Sequence, residues 1–346
     1  LGIASSLFLI IYIADELSYD RYHSKADRIY RVVSHFEEPD DAFTWIVAQI
    51  PFAPQVNEDY PEVEECVRLF QYGRSLFERD DIKFFEEDAY YADSAVFNVF
   101  DYRLVEGDPD QVLTEPNSIV LTRSFASRYF QDEEPVGKTL KQGENLFKIT
   151  GIMEDVPKNS HLRFDALVSR NTLPREIGSW GNFGVYTYLL LPEGLGVDQF
   201  EKKMNGMYDK YMAEIFERRN IDIRYSLQAI TRIHLHSNYQ GEPEPTGSII
   251  YVYIFGVVAF FLILIASLNY MNLATARSIK RAREVGLRKV VGSLRSSLIL
   301  QFLAESVAIT LIYKKGYFRQ KIDDKGAQEG PAYEWNPRKF MKLKVS

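Results

Sequence analysis

A chain of 346 residues with 48 acidic and 41 basic side chains carries a formal charge of −7. Its mean hydropathy of −0.22 makes most of it water-soluble and leaves any membrane part in the minority. The acidic balance argues against a nucleic-acid partner, which needs a basic face, and the single cysteine, Cys66, excludes an internal disulfide or a thiolate metal cluster.

The opening LGIASSLFLIIYI is apolar up to Ile13 and then meets Asp15 and Glu16. A run this short cannot cross a bilayer by itself. It also lacks the initiator Met and basic start of a signal peptide, so residues 1–14 read as the outer half of a first transmembrane helix. Ser5, Ser6 and Gly256 are small residues that could let helices approach closely in the membrane. Residues 15–246 are mixed and globular, and large enough for a core without disulfides. A charged helical exit gives way to a strand over 29–36. Apolar residues at helical spacing predict a helix over 44–60, ended by Pro61. Strands follow over 66–72 and 82–91, then a short helix over 94–100 that presents Phe97 and Phe100 to a core. A strand over 117–121 leads into a helix through Phe130, with Thr122 as its N-cap. Gly137 and Lys138 are turn material. Strands are expected over 146–156 and 185–191, a long amphipathic helix over 197–218, and a strand over 221–230. Irregular interleaving of this kind predicts an α+β domain, and a break near 171–174 would divide it into two subdomains.

From Ser248 to Asn269 the chain is apolar, and no charge appears between Glu244 and Arg277. About 20 apolar residues span a bilayer core, so 247–272 is read as a transmembrane helix. Arg277, Lys280, Arg281, Arg283, Arg288, Lys289 and Arg295 follow against one acid, Glu284. Basic residues after a span mark the cytoplasmic side, which puts 273–297 inside and 15–246 outside. That basic segment can also touch anionic lipid. Residues 298–312 begin a further apolar helix that stops at Lys314 and Lys315, and the tail 313–346 is polar, aromatic and basic, unrelated in composition to what precedes it.

Sites for chemistry are few. His234 and His236 lie two apart and on a strand would share a face that could hold a metal, but no third ligand follows by spacing. Asp40 with Asp41, Asp80 with Asp81, and Glu86, Glu87 and Asp88 read as solvated faces or turns. No GxSxG, HExxH or GxxxxGK[ST] pattern is present, so this chain does not hydrolyse ATP through a phosphate loop. The segment REVGLRKVVG is the informative one. Glu284 and Arg288 can pair along a helix with the acid on the favourable N-terminal side. Val285, Leu287, Val290 and Val291 give that helix an apolar stripe, and Gly286 and Gly292 permit close approach. It serves as a surface anchor or as a docking element for a cytoplasmic partner, and the residues alone leave both open.

The stretch NYMNLATARSIKRAREVGLRKVVGSLRSSLILQFLAES closely resembles the permease core of FtsX-like and MacB-like ABC transporters. Its E-[VI]-G-[LI]-R-[KR]-x-x-G-[AS] pattern is matched by Glu284, Val285, Gly286, Leu287, Arg288, Lys289, Gly292 and Ser293. YDRYHSKADRIYRV, NSIVLTRSFASRYF, PVGKTL and ITGIMEDVPKNSHLRFDALVS look like that family's periplasmic core domain. The resemblance covers about residues 1–311. It implies an α+β exported domain between the first two of four transmembrane helices in the bacterial inner membrane, and a permease that works as a dimer. It also implies a non-catalytic subunit without cofactor or metal, paired with a cytoplasmic ABC ATPase in a separate chain. Arg283, Glu284, Val285, Gly286, Leu287, Arg288, Lys289 and Gly292 would form the helix that couples to this ATPase. ATP binding would rearrange the exported domains to move a client such as an antimicrobial peptide, a drug or a lipoprotein, with a periplasmic adaptor as a further partner. The chain departs from the pattern in the cytoplasmic half of the first helix, in the third helix after Ile312 and in the fourth. An FtsX-type regulator that activates a cell-wall hydrolase is the alternative; the size of the exported region favours the MacB-like side. A membrane-anchored enzyme would need titratable groups converging in one pocket.

Overall fold

The computed structural model describes residues 2–131, 133–174 and 178–290, with side chains through residue 276 except Ala274. The chain divides into two compact units, residues 1–264 and 265–346; of the second, the helical backbone through Val290 is described.

Helix α1 (Gly2–Glu16) leads through turns and a 3-10 turn at Ala26–Arg28 into β1 (Ile29–Glu37). The region expected as one helix over 44–60 is instead β2 (Ala42–Trp45), β3 (Ala48–Gln49) and a shorter helix α2 (Phe52–Asp59). Phe43 stacks on Phe36 of β1 and Trp45 meets the same ring edge-on, and this packing overrides the helical spacing. β4 (Glu65–Gln71) is followed by β5 (Ser75–Arg79), β6 (Ile82–Glu86) and β7 (Ala89–Ala92), so the single strand expected over 82–91 is two. Asp80, in the left-handed region at φ 53, makes the tight turn between β5 and β6. Next come α3 (Val96–Val99), β8 (Leu104–Glu106), β9 (Ser118–Thr122) and α4 (Arg123–Phe130). The Thr122 hydroxyl accepts from the Phe125 amide at 3.2 Å, as an N-cap should.

β10 (Thr139–Gln142), β11 (Asn145–Met153) and β12 (Ala166–Ser169) precede a 3-10 turn at Arg170–Thr172 and β13 (Phe183–Leu190). The long helix expected over 197–218 is broken into α5 (Val197–Met204), α6 (Gly206–Tyr211) and α7 (Ala213–Phe216). Asn205 causes the first break. Its amide donates to the Tyr225 carbonyl and its carbonyl accepts from the Tyr225 amide, at 2.8 and 2.7 Å, so the chain bends to hold β14 (Asp222–Ala229). Helix α8 (Ile230–His236) and the 42-residue helix α9 (Ile249–Val290) complete the described chain.

Among the described residues 14 strands form one mixed sheet, in the path β14-β1-β13-β4-β7-β12-β9-β11-β10-β5-β6. The pairings β11–β9 and β12–β7 are parallel. One face carries a continuous apolar core that includes Ile29, Val67, Tyr90, Val120, Leu167 and Tyr188. The opposite face carries two clusters, one at each end. Val32, Phe36, Phe52, Phe200 and Met204 gather under α2 and α5; Phe77, Ile119, Phe125, Tyr129 and Phe147 gather under α4. This is an α+β domain whose sheet continues across the turn near 171–174, because β13 pairs with both β1 and β4.

Candidate force-transmission junction

Two segments tie the flanking helices to the sheet. The first is the chain leaving α1. Asp20 adopts φ 59 and is fully buried. Its backbone amide donates to the Asn159 carbonyl at 2.9 Å, and its Oδ1 accepts from the His161 amide and from His161 Nδ1 at 3.1 and 2.8 Å. Asn159 in turn donates to the carbonyl and hydroxyl of Ser18 at 3.1 and 3.0 Å. With Nδ1 donating to the carboxylate, His161 Nε2 accepts from the Tyr188 hydroxyl, 2.8 Å away on β13. Burial pushes Tyr188 well above the usual phenol range, so it remains the neutral donor this chain of bonds requires. Burial also lowers His23 to about 4 and keeps it neutral beside Tyr102 and Phe100.

An acid, an imidazole and a hydroxyl in series resemble a catalytic relay in form. Asp20, His161 and Tyr188 are each at most 3% exposed, so no substrate atom reaches the hydroxyl. Their bonds position α1 on the sheet.

The second segment is the strap from Ser237 to Ser248 that feeds α9. Arg31 lies on β1 with no exposed surface, and its two terminal nitrogens grip Glu242 at 2.7 Å each. It also donates to Gln228 at 2.7 Å and Ser237 at 3.2 Å. A bidentate guanidinium–carboxylate pair fixes orientation as well as distance. Arg163 holds Glu244 at 2.6 Å, Tyr186 donates to the Gly241 carbonyl at 3.1 Å, and Trp45 donates to Gln240 at 3.1 Å.

The two segments meet twice. Arg31 and Tyr188 are direct cross-strand neighbours in the β1–β13 ladder, so the network rooted at α1 ends beside the one rooted at α9. In addition, Glu16 at the end of α1 bonds His234 at 2.9 Å, His234 stacks on Tyr19 with ring centroids 3.4 Å apart, and the Gly247 amide donates to the His234 carbonyl at 2.9 Å. A Cβ at position 247 would lie 2.6 Å from Glu16 Oε2 and 2.9 Å from His234 Nε2, so a side chain there must push the Glu16 carboxylate aside. Gly247→Ala is expected to displace Glu16 from His234 at a cost of about 1 kcal/mol, read as a lowered urea midpoint with an unchanged slope.

His234 and His236 do not share a face, contrary to the strand reading. They lie on α8, where residues two apart point to different sides; His234 is buried against Glu16, and His236 is exposed. Among the described residues no group of three His, Cys, Asp or Glu side chains could hold a metal. Ser6 is buried, and Tyr12 of α1 meets Phe255 of α9 edge-to-face at 5.4 Å. Gly256 faces open space, so its smallness is not used in a close contact here. Residues Ile249–Leu273 are 25 in number with mean hydropathy 2.9 and few of them are buried, long and apolar enough to cross a membrane.

The expected coupling residues Arg283, Glu284, Val285, Gly286, Leu287, Arg288 and Lys289 fall in the last turns of α9. Their side chains lie outside the described residues, as does Gly292 entirely, and so do 298–312 and the tail 313–346. The Asp20–His161 and Arg31–Glu242 pairs escaped sequence reasoning. One signal was present: Arg31 shares a face with Ile29 and Val33 in a strand buried on both sides, and a charge at an inward position requires a partner.

Residues 1–207 match the MacB-like periplasmic core domain family, and the chain belongs to it. Among curated proteins it is similar to the macrolide export ATP-binding/permease protein MacB of Chlorobium luteolum, 24% identical over 205 residues that cover 58% of this chain and 29% of that protein. A shorter stretch of 59 residues is 39% identical to the uncharacterized ABC transporter permease YknZ of Bacillus subtilis, covering 17% of this chain and 15% of that protein. The chain thus spans less than a third of the curated relatives it matches. A permease-protein domain from Porphyromonas gingivalis has the same fold, with a TM-score of 0.54 at 23% identity over 60% of this chain and 91% of that domain.

Proposed function

We propose that the chain is the non-catalytic permease subunit of a MacB/FtsX-type ABC transporter. In this reading it sits in the bacterial inner membrane as one of two copies, with the sheet domain on the periplasmic side. A cytoplasmic ABC ATPase docks on the segment 283–292 through Arg283, Glu284, Val285, Gly286, Leu287, Arg288, Lys289 and Gly292. Movement there passes along α9 to the strap, and the exported domain responds by moving a client such as an antimicrobial peptide, a drug or a lipoprotein.

The observation that supports this reading is the meeting of the two roots on one cross-strand pair, Arg31 and Tyr188. A tether needs one firm attachment. A device that converts relative motion of two helices into a change of the domain needs both roots fixed to the same rigid element, by bonds of defined direction.

Topology tests the arrangement. In a Cys66→Ser background, Lys158→Cys on the exposed side of the 157–160 loop should react with a membrane-impermeant maleimide added from outside. Ser293→Cys should react only after the membrane is opened. The reverse pattern would remove the transporter reading.

A further inference from the structure

We propose that the free edge of β6 is an interface at which a second copy of this chain adds its own β6, antiparallel, to make one sheet across two molecules. The proposal rests on the reading of the chain as a dimeric permease and assigns the contact in the exported domain.

β6 ends the strand path, and among the described residues nothing pairs with its outer side. It lies toward the opposite end of that path from β1 and β13, which receive the two roots. Phe84 and Phe85 on this edge are 44% and 61% exposed. An exposed apolar edge strand is a template for pairing with another chain. Because Arg79 and Ile82 close the turn and face one another, alternate residues point their backbone groups inward. Lys83 and Phe85 turn theirs outward.

The side chains identify the occupant. In an antiparallel pair related by a two-fold axis through Phe85, each Lys83 lies opposite Glu87 of the second copy, the residue directly after β6. Phe85 then meets Phe85 on the same face. The sequence Lys83-Phe84-Phe85-Glu86-Glu87 is therefore self-complementary in charge about its aromatic centre, and opposite charges directly across strands stabilise pairing. A lysine on an edge usually prevents such pairing; here each one finds an acid. Within one molecule Lys83 pairs with Glu78 at 3.0 Å and Glu87 with Arg74 at 3.2 Å, all but Glu78 largely exposed. Exposed pairs of this kind hold little energy and yield readily to a new partner. Arg74 also lies 4.8 Å over the Phe85 ring, flanking the aromatic centre. Glu86, on the other face, is already held by Arg128 at 2.9 Å and Tyr129 at 3.1 Å and stays out of the contact.

Mild oxidation of single-cysteine variants of the full chain in membranes, in the Cys66→Ser background, tests the register. Phe85→Cys should form a cross-linked dimer about tenfold more than Phe84→Cys, whose copies lie beyond the roughly 7 Å Cα limit for a disulfide. Adding Lys83→Glu should reduce the yield, and Lys83→Glu with Glu87→Lys should restore it. Equal yields at positions 84 and 85, or no rescue, would overturn the proposal. If position 85 stays reduced while sizing in detergent finds two copies, this edge is not the contact but the dimeric permease stands. A single copy by sizing would remove both.

Discussion

Glu242→Ala is expected to destabilise the sheet domain by about 3–5 kcal/mol, because it strands a fully buried guanidinium without its counter-charge. Arg31 has no exposed surface and the Glu242 side chain only 10%, so water cannot replace the carboxylate. The remaining acceptors, Gln228 and Ser237, are neutral. Glu242→Gln keeps an acceptor and should cost less than the alanine. The double change Arg31→Met with Glu242→Leu should recover most of the loss, since replacing both partners of a buried pair with apolar groups is often close to neutral. Urea unfolding followed by the fluorescence of Trp45, which bonds Gln240 on the strap, would measure each step. A loss below about 1 kcal/mol for Glu242→Ala would mean that the guanidinium finds solvent and that the strap is not held as described.

The same double variant separates stability from transmission. If the fold recovers while the strap is no longer oriented by a bidentate pair, the attachment keeps its strength but loses its direction. That distinction is specific to a junction that carries movement.

Local signals in the sequence were reliable wherever local chemistry decides the structure. The strand at Ile29–Glu37 follows from its β-branched and aromatic content, the helix after Thr122 from its cap, and α9 from its unbroken apolar run. Misreadings arose where distant partners decide. RIHLHS alternates like a strand, yet Ile233 faces the central core and Glu16, 218 residues away, holds His234, and together they select a helix. The pattern over 197–218 is amphipathic throughout, but Asn205 spends its side chain on β14 and ends the first helix. The junction itself was legible only in part. In sequence Glu244 is only the last charge before the apolar run and Glu242 carries no signal, because their partners Arg163 and Arg31 lie 81 and 211 residues away. The class of protein could be read because YDRYHSKADRIYRV, NSIVLTRSFASRYF, PVGKTL and ITGIMEDVPKNSHLRFDALVS are short contiguous stretches inside residues 1–207, which match the family. The meeting of Arg31 and Tyr188 could not, because it is assembled by sheet register.

The central claim is that movement at the cytoplasmic end of α9 reaches the exported domain. Its most direct test is the labelling rate of Lys158→Cys, beside the Asn159 bonds to Ser18, in the permease reconstituted with its ATPase, with and without ATP. The rate should change with ATP in the Cys66→Ser background. Gly286→Trp, which blocks close approach at the docking segment, should abolish that response while insertion and folding persist. Neutralising Lys280 and Arg281 should leave it largely intact, since each contributes only about 1 kcal/mol of attraction to an anionic surface. An undiminished response in Gly286→Trp, together with loss of membrane association on neutralising Lys280 and Arg281, would make the segment a lipid anchor and contradict the account.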